Sequence, residues 1–173
     1  MAKTPEKPAF PDPGHDHGPC ATAALMKAEI LCRATGKKLT QIRRRVLEAV
    51  WESHAPIGAY DILAKLNGGG GRTAPIMVYR ALDFLMDNGL VHRIASLNAF
   101  VGCAHPGDDH AAGFLICREC GSTAEMDSET LNDALDSAVA ARGFVVDSQV
   151  VELRGLCPHC NEGQSHQGHA HAR

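Results

Sequence analysis

Two Cys-x-x-Cys pairs constrain this chain more than any other feature: Cys117-Arg118-Glu119-Cys120 and Cys157-Pro158-His159-Cys160, with residues 121–156 between them. One pair presents two thiolates to a single ion, and two pairs close a tetrahedral four-cysteine site with no open position. The chain must then fold back so that both pairs meet, with room between them for a helix and a strand. Few large apolar side chains lie in that interval, and a unit of about fifty residues needs a metal or a partner chain to hold a core. The expectation is a structural zinc held by Cys117, Cys120, Cys157 and Cys160. Cys157-Pro158-His159-Cys160 is also the dithiol pattern of a thiol–disulfide oxidoreductase of the thioredoxin-like fold. There the pair follows a strand with most of the domain still to come, whereas only 13 polar residues follow Cys160.

At 173 residues the chain is one medium domain or two small ones. No stretch approaches the ~20 apolar residues that span a bilayer, and the opening MAKTPEKPAFPDPG has no apolar region of a secretory signal. Seven cysteines in such a chain argue for metal ligation rather than a disulfide scaffold. The net charge of −3 hides an asymmetry: residues 1–100 carry 13 Lys+Arg and 9 Asp+Glu, residues 101–173 carry 4 and 11. The basic half is the candidate partner for a polyanion.

Five of the nine prolines fall in residues 1–19, read as a disordered tail. Helical patterns follow over Thr22–Ala34, from an N-cap at Thr40, over Gly58–Leu66, and over Pro75–Asn88 with Gly89 as C-cap. Gly68–Gly71 with Arg72-Thr73 resembles the end of a phosphate loop, but the lysine and the preceding strand are missing, so these glycines are read as a linker. Two short strands, Leu90–Ile94 and Ala99–Cys103, turn through Ser96–Asn98. Helices followed by a hairpin outline a winged helix, whose last helix enters the DNA major groove. Six basic residues, Arg33, Lys37, Lys38, Arg43, Arg44 and Arg45, are then expected along phosphates.

Residues 104–113 read as a hinge. Strands at Phe114–Cys117 and Thr123–Met126, a helix over Ser128–Arg142 and a β-branched strand over Phe144–Leu153 complete a small α/β unit at 114–160, before a His-bearing tail at 161–173 that is expected to be disordered. The fold class is therefore α+β: a winged-helix domain at 20–103, the hinge, and the small α/β domain.

A second ligand constellation is looser. His92, Cys103 and His110, with Glu125 across the hinge, would make a tetrahedral zinc set of two imidazoles, a thiolate and a carboxylate, and the thiolate disfavours hard ions. His105 competes with His110. Each residue also has a plain reading: a surface histidine, a small core cysteine, a solvated acid. Cys32 is read as core, and Met77, Met86 and Met126 as packing. There is no HExxH, no HxE paired with PCxxC and no GxSxG, so no enzyme is expected.

Several stretches carry a resemblance: Leu39-Thr40 with Arg43, Val46 and Leu47; Ala59-Tyr60-Asp61-Ile62-Leu63; Val78-Tyr79-Arg80-Ala81-Leu82-Asp83-Phe84-Leu85; Gly89-Leu90-Val91-His92-Arg93; Phe114 through Gly121; and Gly155-Leu156-Cys157-Pro158-His159-Cys160. Together these resemble the ferric uptake regulator superfamily, and within it the zinc uptake regulators. The resemblance implies a winged-helix DNA-binding domain, a hinge and an α/β dimerisation domain in a cytoplasmic homodimer. It implies two zinc ions per chain, a double-stranded operator DNA partner, repression of zinc-acquisition genes, and neither a membrane nor a small organic substrate. Cys117, Cys120, Cys157 and Cys160 match the structural site; His92, Cys103, His110 and Glu125 match the regulatory site. Tyr60 and Arg80 match positions expected to contact operator bases; Tyr79, Lys37, Lys38 and Arg43 complete the DNA-binding candidates. An iron- or peroxide-sensing member is the alternative; Cys103, and Asp108-Asp109-His110-Ala111-Ala112 where iron sensors are His-rich, favour zinc.

Overall fold

A computed structural model of the chain describes residues 10, 16–68, 71–107, 113–126, 129–147 and 149–165. Four helices come first: α1 (Gly18–Ala34), α2 (Gln41–Trp51), α3 (Ala59–Asn67) and α4 (Pro75–Met86). On α2 the apolar residues recur at helical spacing, so Val46, Leu47 and Val50 share one buried face. On α4 the buried face is Val78, Ala81, Leu82 and Leu85. These faces, with Ala28 and Cys32 of α1 and Ile62 and Leu66 of α3, form one core. Two ion pairs brace it from outside, Arg44–Glu29 between α2 and α1 and Lys65–Glu52 between α3 and the end of α2.

Gly89 ends α4 with φ +61°, a left-handed conformation that side chains disfavour. Its N–H donates to the Met86 carbonyl and that of Leu90 to Leu85, which turns the chain into the wing. The wing is an antiparallel pair, β1 (Val91–Ile94) and β2 (Ala99–Gly102), joined by a single 3₁₀ turn at Ala95–Leu97. Ile57, just before α3, exchanges both backbone hydrogen bonds with Phe100 and extends this small sheet.

A second sheet has the order β4-β3-β5, from β3 (Gly113–Cys117), β4 (Thr123–Met126) and β5 (Val151–Gly155). The β3–β4 pair is antiparallel and the β3–β5 pair is parallel. A parallel return requires a crossover, which α5 (Glu129–Ala140) supplies, and α6 (Pro158–Ser165) closes the described chain. The two sheets meet directly. Ile94 and Val101 of the wing and Phe114 and Ile116 of β3 form their own buried apolar cluster. The Thr123 N–H also donates to the His54 carbonyl at 2.9 Å, tying β4 to the loop after α2.

Several expectations change. The first helix begins at Gly18, not Thr22, because Asp16 accepts the Gly18 N–H and Pro19 fits a first helical turn. Residues 1–19 are not one uniform tail either, since Phe10 is buried against Cys117 and Cys157. The chain does not lose structure after Cys160, as α6 runs on to Ser165. Of the strand expected over Phe144–Leu153, only Val151 onward pairs, and it extends to Gly155. Upstream of it Phe144 is 68% and Val145 81% exposed, with no neighbouring strand among the described residues. β-branched composition favours a strand but does not supply its partner. Thr40 adopts the N-cap conformation without a capping side-chain hydrogen bond, and Met77 is exposed rather than packed. Ser128, the expected first residue of the helix that is observed as α5, and His110 lie outside the described residues.

Candidate metal centres and nucleic-acid face

The β3–β4 turn and the β5–α6 junction bring the two cysteine pairs together, because β3 and β5 run parallel and both end at the same edge. The Sγ atoms of Cys117, Cys120, Cys157 and Cys160 all lie within 4.8 Å of one another. Two sulfurs each about 2.3 Å from a tetrahedral zinc stand about 3.8 Å apart. Cys120 Sγ and Cys157 Sγ are 3.8 Å apart, which matches that spacing, and the other sulfurs of the set lie within an ångström of it or closer. Burial acts to raise the Cys117 thiol, but the N–H groups of Cys120, Cys157 and Glu119, with the Cys120 side chain, outweigh it and bring it down to about 6. Cys160 is pushed up to about 12, first by its hydrogen bond with Cys157 and then by burial. A cation entering the cluster displaces the protons its thiols carry.

The second group is His92, Cys103 and Glu125, whose ligand atoms also lie within 4.8 Å of one another. His92 sits on β1 and Cys103 just beyond β2, while Glu125 comes from β4 of the other sheet. His92 Nε2 approaches Glu125 Oε1 at 3.0 Å, and Cys103 Sγ stands 4.0 Å from the same oxygen. Ligands on a tetrahedral zinc are separated by roughly 3.3–3.6 Å for these atom types, within a few tenths of an ångström of the distances observed. Cys103 is 2% exposed, and the His92 ring leans against Phe114 with centroids 5.3 Å apart. The other Glu125 oxygen accepts the Ala104 N–H at 2.9 Å, so this carboxylate already grips the chain beyond the wing. His105 is exposed and does not belong to the group.

Tyr60 is 72% and Tyr79 40% exposed, and Arg80 is also exposed on α4. With Arg93, Asn98 and Asp83 the two tyrosines line a cleft of about 290 Å³ between α3, α4 and the wing. The basic run divides into two sets. Arg44 is paired with Glu29, Arg45 donates to the Leu66 carbonyl at 2.7 Å, and Arg43 lies 3.4 Å over the Phe84 ring while donating to the Lys38 carbonyl. These three half-buried arginines therefore join helices. Arg33, Lys37 and Lys38 remain exposed, with Lys37 Nζ donating to the Asn88 side chain at 2.6 Å.

Sequence reasoning missed Phe10, an aromatic in a Pro-rich stretch with no periodic pattern around it. It also missed Trp51, whose ring edge meets Gly102 beside Cys103. A lone aromatic before a chain turn carries no signal of the distant strand it will touch.

The ferric uptake regulator family profile matches residues 34–154. The zinc uptake regulation protein of Escherichia coli (strain K12) is 36% identical over 140 residues, covering 80% of this chain and 81% of that protein. The peroxide operon regulator of Bacillus subtilis (strain 168) is 27% identical, covering 84% of this chain and 99% of that protein. A zinc uptake regulator complexed with zinc and DNA superposes with a TM-score of 0.79 at 34% identity, covering 84% of this chain and 97% of that one. The holo form of XcZur superposes with 0.75 at 38% identity, covering 81% and 98%. With the family profile spanning most of the chain and both cysteine pairs joined at one site, this chain belongs to the ferric uptake regulator family.

Proposed function

We propose that this chain is a zinc-responsive transcriptional repressor of zinc-uptake genes, acting in the cytoplasm as a homodimer on double-stranded operator DNA with two zinc ions per chain. The observation that carries this reading is the convergence of His92 and Cys103 from the wing with Glu125 from the other sheet. Soft Cys103 beside an imidazole selects zinc over harder ions. Zinc, when bound, supplies the bonds that join these side chains, and His110 is proposed as the fourth ligand. Cys117, Cys120, Cys157 and Cys160 are proposed as the separate structural site.

The chain's own residues do the rest. His92 and Cys103 carry the wing, and through it α4, to a fixed angle against Glu125. In a dimer, two recognition helices enter successive grooves only at one separation, so this angle sets DNA affinity. A hundredfold change in operator binding requires about 2.8 kcal/mol of coupling. Arg80, Tyr79 and Tyr60 face the bases, and Lys37 and Lys38 the phosphates. Arg43 acts by holding α2 against α4. The exposed row Phe144, Val145, Val150 and Leu153 is the surface a second copy would cover. No helix among the described residues is long and apolar enough to cross a membrane. The zinc-regulating relatives named above support the zinc reading over the peroxide-sensing one, which rests on lower identity.

The test is metal per chain on reduced protein before and after a mild chelator wash. Two zinc ions falling to one are expected, with Cys103→Ser starting at one and remaining dimeric. A parent protein that holds a single zinc ion per chain before the wash and keeps it afterwards overturns the two-site reading.

A further inference from the structure

Beside the apolar cluster, two carboxylates of the second sheet hold the wing, and only one of them faces the histidine and cysteine proposed as metal ligands. At its base Glu125 faces His92 and Cys103 and holds the Ala104 N–H. At its tip the partner is Glu152, on β5, directly beside Phe114 in the parallel register. Glu152 Oε1 accepts the Ala95 N–H at 2.7 Å, and Oε2 accepts the Ser96 N–H at 3.1 Å. The Ser96 hydroxyl bonds to the same carboxylate, and these donors hold the Glu152 carboxyl below its ordinary value despite partial burial. Charge-assisted bonds of this kind are stronger than neutral ones, and a fork on two successive N–H groups fixes direction as well as distance.

The turn held in this way is also closed from within. Ala95–Leu97 is a 3₁₀ turn closed by Asn98 at φ +47°, and the Asn98 side chain accepts from Arg93 at 2.8 Å. Force applied at Ala95 therefore passes along β1, where His92 lies three residues upstream. No ligand of either cysteine or histidine cluster lies in this contact.

We propose that Glu152 is a positioning residue: a metal-independent latch that holds the wing tip against β5 and so presets the distance between His92 and Glu125 at which the second metal binds. This rests on the reading of His92, Cys103 and Glu125 as the regulatory site. Because latch and metal favour the same arrangement of wing and sheet, loss of the latch lowers metal affinity at that site and, by reciprocity, DNA affinity of the loaded protein.

The experiment is competition for zinc between the full-length reduced protein and a fluorescent chelator, without DNA, alongside cysteine-site zinc content and sedimentation. Glu152→Gln keeps the shape but turns an amide donor toward a backbone N–H. About tenfold weaker binding of the exchangeable zinc is expected, with the tightly held zinc and the assembly state unchanged. Ser96→Ala, at an exposed position, removes only the hydroxyl bond and should weaken the same zinc about two- to threefold; if Glu152→Gln fails to fold, this variant decides. Unchanged affinity in the folded variants, while Cys103→Ser abolishes exchangeable zinc, overturns the latch and leaves the regulatory site standing. Exchangeable zinc that survives Cys103→Ser overturns the site assignment, and the latch with it.

Discussion

Gly102 is the last residue of β2 and the one before Cys103, and a methyl group there has no room. A Cβ built on its backbone stands 2.2 Å from Trp51 Cε2 and 2.3 Å from Trp51 Nε1, where ordinary contact begins at 3.4 Å. The ring would have to retreat by more than an ångström. It cannot swing away freely, because Trp51 ends α2, packs on the helical core and meets His54 edge-on with centroids 6.4 Å apart. Overpacking of this kind costs about 1–3 kcal/mol. For a winged-helix unit of this size, each kcal/mol lowers the midpoint by about 4–8 °C, so Gly102→Ala should melt at least about 4 °C below the parent. If β2 yields instead of the ring, Cys103 moves with it and the zinc proposed to sit between His92, Cys103 and Glu125 should bind more weakly. Calorimetric melting of the zinc-loaded protein and chelator competition read the two effects separately. A variant that melts within a degree of the parent and binds zinc equally well would refute the claim that Trp51 and Gly102 are rigidly packed.

Arg80→Ala should weaken binding to a duplex selected by the parent protein by about 1–3 kcal/mol while changing random-sequence binding little, as read by fluorescence anisotropy. Equal losses on both duplexes would make Arg80 a phosphate contact. Replacing Lys37 and Lys38 together by alanine should lower the slope of log affinity against log salt by roughly 1.8, and an unchanged slope would remove both from the interface. In reduced, metal-free protein, thiolate absorbance should show a step near pH 6 that Cys117→Ser abolishes. Because folding depresses this thiol below its ordinary value of 9.0 to about 6, its contribution to the metal-free fold is complete above pH 9 and is lost as pH falls through 6. Phe10→Ala should speed zinc loss to chelator from the four-cysteine site without altering the exchangeable zinc, since Phe10 covers Cys117 and Cys157 but touches no wing residue in that cluster. An unchanged release rate would show that this cover has no protective role.

The helical half was legible because its evidence is local. Val78, Ala81, Leu82 and Leu85 repeat at one helical face, Pro75 opens α4 and Gly89 ends it, and each of these was readable without knowing the tertiary fold. The two cysteine pairs were legible for a different reason: a donor set with so narrow a chemistry forces closure of its own loop. The strand expected over Phe144–Leu153 was misjudged because β-branched residues report a preference for extended backbone, not the presence of a neighbour to pair with. The basic run was only half legible. Composition could not distinguish Lys38, which stays in solvent, from Arg44 and Arg45, which hold Glu29 and the Leu66 carbonyl. Glu152 was invisible, since its partners are backbone N–H groups 56 and 57 residues away and backbone groups leave no mark in a sequence.

The apolar cluster between the sheets bears on how temperature enters regulation. Ile94, Val101, Phe114 and Ile116 are buried against one another across the boundary that metal is proposed to span. Swinging the wing away wets part of that surface, so the closed arrangement carries a heat-capacity signature and an attraction of largely entropic origin near room temperature. That attraction fades on cooling, while the bonds to a metal ion do not share its dependence. A cold cell would then need more of its closing free energy from the ion, and the zinc level at which the protein engages DNA would rise as the temperature falls.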